Sequence, residues 1–342
     1  PGEALGKGPV YLTNLVAYPL IFFIVGYVLL PVYMKQRVTS AYELLEERLG
    51  VSVRLLGATL FLVLRLFWMS LLVYLTAKAI SIMIGVDEKY IPLIVLITGA
   101  FAITYTSLGG LKAVVVTDLM QTILLYGGAL LVIGTITVKM GGFHWFPTEW
   151  QTDIWDSQPL FSLAPSTRVT VVGSILSVLI WYTCTSGGDQ VSIQRFMATK
   201  DATTARKAIG MQLLVGGIVG VTLGFVGFAM LGYFQANPDL LPEGMTLQEN
   251  ADKIFPHFIA FHLPPVVSGF VVAGLFAAAM SSIDSGVNSI TAVVMTDFLD
   301  RFGKKPETEQ KHVRFARGLA FGIGATVVLC STMMEHVPGN IT

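Results

Sequence analysis

Charge is scarce in this 342-residue sequence. Lys, Arg, Asp and Glu make up 13% of it, and the 22 cationic side chains balance the 22 acidic ones. Without a basic surplus there is no electrostatic footprint for nucleic acid. Cysteine is nearly absent: Cys184 and Cys330 both stand in apolar stretches and carry no information about redox compartment. Low-complexity tracts, heptad arrays and short soluble repeats are missing. So is a charged leader with a cleavage site, and a chain that opens on Pro1 is expected to be part of a longer protein. What is plentiful is apolar surface. Hydrophobic residues make up 54%, and several apolar runs exceed the length needed to cross the hydrocarbon core of a bilayer. An all-α polytopic membrane protein is predicted.

Eight transmembrane helices are expected, at 11–33, 55–84, 91–106, 114–138, 169–185, 208–234, 266–296 and 315–334. Lys and Arg collect on alternate connections. One set holds Lys35, Arg37, Arg48 and Arg54, then Lys112, then Arg195, Lys200, Arg206 and Lys207, then Arg301, Lys304, Lys305, Lys311, Arg314 and Arg317. The other set, with Lys7, Lys89, Lys139, Arg168 and Lys253, is poorer. The first set is therefore cytoplasmic. Its SAYELLEERLG (40–50) alternates carboxylates with leucines at helical spacing and predicts a short amphipathic helix. The outward loop at 139–168 is rich in Trp, which favours the membrane interface, so an interfacial cover is expected, with an outer gate as the alternative.

Four spans fall in 1–138 and four in 169–342, both sets starting inward. An inverted repeat needs an odd number of spans per unit, and five is the usual solution. That would require one more span before the first and one after the last.

Apart from Ser268 and Thr291, the run 266–294 is apolar except for AAAMSSIDSGVNS (277–289), which carries four serines, an aspartate and an asparagine. At 100° per residue Ala278, Ser281, Ser282, Ser285 and Ser289 share one stripe, and Ser281, Asp284, Ser285 and Asn288 an adjoining one. Small residues let helices approach closely, which accounts for the serines by packing alone. A mid-membrane carboxylate costs about 2.5–3.5 kcal/mol unless paired or hydrated. Asp284 therefore points to a cation, and oxygen ligands of this kind suit hard ions such as Na⁺. Asp118 is a second carboxylate near a span's cytoplasmic end, where it could instead cap a helix start. Arg65, well inside its span, could snorkel or pair with a carboxylate. SGGD (186–189) superficially suggests the GxGD of intramembrane aspartyl proteases, but the first glycine is absent and Asp189 stands beside a basic loop. No enzyme is expected. Gln190, Gln194 and Arg195 read as solvated or loop-packing groups.

YTSLGGLKAVVVTDLMQ (105–121) resembles the signature of the sodium/solute symporters of the sodium/galactose transporter type. The resemblance continues in LLPVYMKQRVTSAYELLEERLG, QVSIQRFMATKDATTARKA, NADKIFPHF and GLFAAAMSSIDSGVNS, in order along nearly all the chain. It implies the leucine-transporter-like architecture of two inverted five-helix units. These eight helices would be the second to ninth of its ten core helices, with the first and tenth core helices missing. It also implies a shared sodium site at Ala278, Ser281 and Ser282, and in some relatives a second cation site at Asp118, Ser281, Asp284 and Ser285. Asp284 departs from the hydroxyl residue usual there. Sugar-carrying relatives place a substrate asparagine, a gating tyrosine and a substrate lysine at positions matching Tyr182, Thr185 and Gly216, so sugar is not expected.

The function implied is Na⁺-coupled symport of a small organic solute by alternating access, in a multi-pass protein of the plasma (inner) membrane. A membrane sensor domain of the same fold, joined to a signalling module, is the alternative.

Overall fold

The computed structural model describes residues 1–36, 40–155, 159–164, 167, 169–242, 244–248, 250–303 and 308–334, without the side chains of 105, 108–115 and 252. Arg37, Arg168, Lys304 and Lys305, and the side chain of Lys112, lie outside this set.

Every described element is helical: α1 (Gly2–Gln36), α2 (Glu43–Leu49), α3 (Val51–Ile84), α4 (Ile91–Lys139), α5 (Thr152–Trp155), α6 (Val171–Gly188), α7 (Gln190–Met197), α8 (Ala202–Ala236), α9 (Ala251–Phe261), α10 (Pro265–Asp300) and α11 (Glu309–Met333). Seven of the described helical segments are long and apolar enough to cross a membrane. Leu60, Leu64, Ile123, Ile218 and Phe321 are exposed on them, and a hydrocarbon solvent is what makes such a surface stable.

The sequence-based reading separates two spans at 91–106 and 114–138, whereas α4 is helical throughout its 49 residues. Its two ends nevertheless run in opposite directions. Gly99 and Ile103 lie against Val328 and Gly324 of α11, whereas Asp118, Leu124 and Gly128 lie against Ser281, Gly274 and Val271 of α10. Because α10 and α11 join through the short 301–308 connection and pack together, these contacts require the chain to double back between Thr106 and Asp118, the segment that holds Gly109 and Gly110.

Helix α1 is helical from Gly2 but irregular, passing through a 3₁₀ segment (Gly8–Ala17) and a π segment (Ile24–Leu29). Pro9, Pro19 and Pro31 lack the N–H that a regular ladder needs. Buried apolar side chains form two clusters. One, around Ile21, Leu30, Met69, Ile193 and Ile290, joins α1, α3, α7 and α10. The other, around Leu5, Trp145, Trp155, Phe234 and Phe258, lies at the end where Trp145 and Trp155 pack. This corrects the interfacial reading of the Trp-rich loop. Trp145 and Trp155 are 3% and 5% exposed, donating to Thr137 Oγ1 at 2.8 Å and to the Leu5 carbonyl at 3.0 Å, and only Trp150 is left at the surface.

Candidate functional site

The polar residues of α10 meet different partners according to the face they occupy. Ser281 donates to Asp118 Oδ1 from α4. One turn further, Ser285 Oγ and the other oxygen of Asp118 share a single cation: Arg195 of α7 places Nη2 2.7 Å from Asp118 Oδ2 and 2.8 Å from Ser285 Oγ. Ser289 lies 3.4 Å from Gln194 Oε1 on the same side. Asp284, fully buried, accepts from the Thr106 hydroxyl in the first half of α4. Ser282 Oγ is 3.5 Å from the Ala278 carbonyl, a long and weak bond that leaves hydroxyl and carbonyl close together. Among the described residues no group of three His, Cys, Asp or Glu side chains could hold a metal ion, so hydroxyl and carbonyl oxygens supply most of the ligands on offer.

Two expectations are revised and one is met. The Asp118 carboxylate turns to Ser281 and Arg195 rather than to the N–H groups of a helix start. Arg65 pairs with a carboxylate as expected, Asp189, with Nη1 3.9 Å from Oδ2, while its buried Nε has no hydrogen-bond partner. Arg195, although half-exposed, is no loop group; it bridges α4 and α10 from a helix 77 positions along the chain from Asp118. Periodicity carries no signal for such a contact, because it depends on how a separate helix docks.

The SGGD stretch is a helix junction. α6 stops at Gly188, and Asp189 caps α7 by accepting from Val191 N at 2.8 Å. Tyr33 donates to the Gly187 carbonyl, and Tyr42 to that of Gly188 at 3.2 Å. These bonds fix the junction beside a cavity of about 840 Å³ lined by Lys35, Gln190, Gln194 and Lys200. Tyr182, one turn back, packs its ring 6.0 Å from that of Tyr18, and Thr185 Oγ1 spends itself on the Trp181 carbonyl at 2.8 Å.

At the Lys- and Arg-rich end, buried Arg54 joins Asp297 through Nε (2.7 Å) and Glu46 through Nη1 (2.6 Å), with Ser40 donating to Asp297 at 2.7 Å. Arg301 closes the set on Glu46 at 2.6 Å. Hydrogen bonds from Arg301 and then Arg54 pull the Glu46 carboxyl down to about 2. The carboxylates of the amphipathic α2 thus clamp it to the end of α10.

Carboxylates and hydroxyls are thus held between apolar helices with guanidinium partners beside them, in a chain whose long apolar helices suit a membrane. The chain belongs to the sodium:solute symporter family, whose profile matches residues 5–338. It is thereby a multi-pass integral membrane protein of a transporter family, not an enzyme. It is 33% identical over 299 residues to the sodium/sialic acid symporter SiaT of Proteus mirabilis, covering 86% of this chain and 57% of the relative. It is 30% identical over 321 residues to the sodium/sialic acid symporter NanT of Aliivibrio fischeri, covering 92% and 60%. A solved structure described as the substrate-bound outward-open state of a Na⁺-coupled sialic acid symporter that reveals a novel Na⁺ site superposes with a TM-score of 0.87 at 27% identity, covering 98% of this chain and 70% of that one. The chain thus spans 57–60% of the length of these two curated relatives.

Proposed function

We propose that the protein of which this chain forms the helical body couples inward Na⁺ movement to uptake of a small organic acid by alternating access. The observation that carries the reading is the Asp118 carboxylate held on the Ser281 hydroxyl within a membrane helix pair, in a chain of the sodium:solute symporter family. Ala278, Ser281 and Ser282 form a shared sodium site, and Asp118, Ser281, Asp284 and Ser285 a second cation site. The helices correspond to the second to ninth core helices of an inverted-repeat fold, with four passes of the first repeat in 1–138, an outward loop at 139–168, and four passes of the second repeat in 169–342. The opposed ends of α4 supply the pass that its continuous helix conceals.

An organic acid is favoured for two reasons. Similar proteins are named for sialic acid and, in Homo sapiens, for monocarboxylates. In addition, Arg65 keeps a buried guanidinium nitrogen without a hydrogen-bond partner inside α3, and a solute carboxylate would satisfy it. Tyr182, half-buried on α6 against Tyr18, and Thr185 one turn away border the solute path. Each Na⁺ contributes about 2.3 kcal/mol per 100 mV of potential and about 1.4 kcal/mol per tenfold gradient. A second ion would square the accumulation that one supports.

The test is ion counting in proteoliposomes containing the complete protein. Ser282→Ala removes only a 3.5 Å contact, so it should weaken sodium activation with little loss of folded protein. Asp118→Asn should reduce the number of Na⁺ moved per solute. Unchanged sodium activation in Ser282→Ala and unchanged stoichiometry in Asp118→Asn would reject the two sites respectively.

A further inference from the structure

The second cation site already holds a cation, and it belongs to the protein. Arg195 Nη2 reaches one oxygen of Asp118 and the Ser285 hydroxyl at 2.7 and 2.8 Å, two of the four groups assigned to that site. Ser281 satisfies the remaining oxygen of Asp118. Asp284 is already engaged with Thr106. A guanidinium and a Na⁺ placed together on Asp118 would share one negative charge at close range and repel each other. Their occupancies exclude each other.

Resting on the assignment of that site, we propose that Arg195 is a tethered competitor for the second sodium ion: Na⁺ binding at Asp118 and Ser285 displaces the guanidinium, and Na⁺ departure lets it return. Three observations favour an exchangeable group over a permanent strut. The Arg195 side chain is 47% exposed, so its release to water carries little desolvation penalty, whereas the fixed pair Arg54–Asp297 is 8% and 0% exposed. The contact to Asp118 uses a single guanidinium nitrogen rather than a two-pronged fork. The residue also sits on α7, whose Gln190 and Gln194 line the cytoplasmic cavity.

The geometry gives the exchange a direction. Arg195 approaches from the cytoplasmic end, so it fills the site as the ion leaves inward and opposes reloading from that side. Its release removes one tie on α7, which is otherwise held by buried Ile193 and Phe196, by the Gln190 side chain accepting from Ala41 N at 2.9 Å and by the Ser289–Gln194 contact. Ion occupancy at α4 and α10 is thereby coupled to the helix that borders the inner vestibule.

Equilibrium binding of ²²Na⁺ to the purified complete protein in nanodiscs tests this with Arg195→Gln, Arg195→Lys and Asp118→Asn. Arg195→Gln should tighten the weaker sodium site by about tenfold, within the range typical of coupled sites. Arg195→Lys keeps a tethered charge and should fall between it and wild type. In Asp118→Asn the further change Arg195→Gln should have no effect. If Arg195→Gln leaves sodium affinity unchanged or weakens it while Asp118→Asn still removes one ion, the competitor role is overturned and the site survives. If Asp118→Asn removes no ion, the site itself fails. Wild-type protein supplies a check independent of variant folding: hydrogen exchange in 190–197 should be faster in Na⁺ than in choline, and equal exchange would overturn the proposal.

Discussion

At the residue scale, the consequence of burying a charge depends on whether it is paired. Asp297 is fully buried and Arg54 nearly so, each satisfied by the other and by Ser40 and Glu46. Removing one partner leaves the other charge in a medium that cannot solvate it, at about 3–5 kcal/mol. Asp297→Asn should therefore lower the thermal stability of the detergent-solubilised protein markedly, and the apolar double change Arg54→Met with Asp297→Met should recover part of the loss. A single variant as stable as wild type would show that the pair is not buried in solution. Glu46 extends the clamp into water, and its depressed carboxyl fixes the pH window. A carboxylate whose folded value lies near 2 contributes stability above its ordinary value near 4.5, which is lost only as pH falls toward 2. Between pH 5 and 8 the Glu46–Arg301 contact should not titrate. A loss of amide protection in 43–49, relative to the intrinsic exchange rate, between pH 8 and 5 in the unsubstituted protein would contradict that.

At the element scale, helix packing is set by where side chains are absent. A Cβ at Gly274 of α10 would lie 3.0 Å from the Leu124 carbonyl oxygen and 3.2 Å from the Leu125 Cα of α4, both backbone atoms unable to rotate away. Gly274→Ala should cost about 1–3 kcal/mol by forcing the helices apart, and calorimetric unfolding that matches wild type would refute the close approach. A Cβ at Gly286 meets chiefly the flexible end of Met69, so its neighbour can yield.

Much of this level was legible beforehand. Apolar length located α3, α6 and α10 within four residues and α8 and α11 within six, while α1 begins nine residues before its expected start, and α10 packs closely on α4 at Gly274. The amphipathic spacing of 40–50 gave α2. Other features were hidden. A helical backbone persists through the reversal of α4 where two spans and a connection were expected, since hydropathy shows a dip but not what the backbone does there. Arg195 carried no local mark of its role, and spacing left open which carboxylate Arg65 meets, which in the structure is Asp189. Long side chains choose partners in three dimensions, and spacing within one helix does not constrain that choice.

At the scale of the whole molecule, the two ends respond to different conditions. The Lys- and Arg-rich end is closed by ion pairs, and the opposite end by rings: Tyr233, Phe234, Phe258 and His262 pack together, with Lys139 donating to the His262 carbonyl at 2.6 Å. Burial holds the His257 and His262 imidazoles below their ordinary value near 6.5, and for His262 the neighbouring His257 and Lys139 add to it. An imidazole with a lowered folded value stabilises the fold above about 6.5, and that contribution is lost as pH falls below it. The cap at 251–262 should show weaker amide protection, measured relative to the intrinsic exchange rate at each pH, at pH 5.5 than at pH 7.5, and His262→Phe should flatten the difference. Equal protection at the two pH values would contradict the assignment.

Sodium-driven transport remains the central claim, and one measurement reaches it most directly. Proteoliposomes containing the complete protein would be offered a panel of labelled organic acids, sialic and monocarboxylic acids included, under an inward Na⁺ gradient or an equal choline gradient. Sodium coupling predicts accumulation of at least one acid above equilibrium with Na⁺, collapse of that accumulation when the gradient is dissipated, and no accumulation with choline. Equal uptake of the transported acid in Na⁺ and in choline would contradict it.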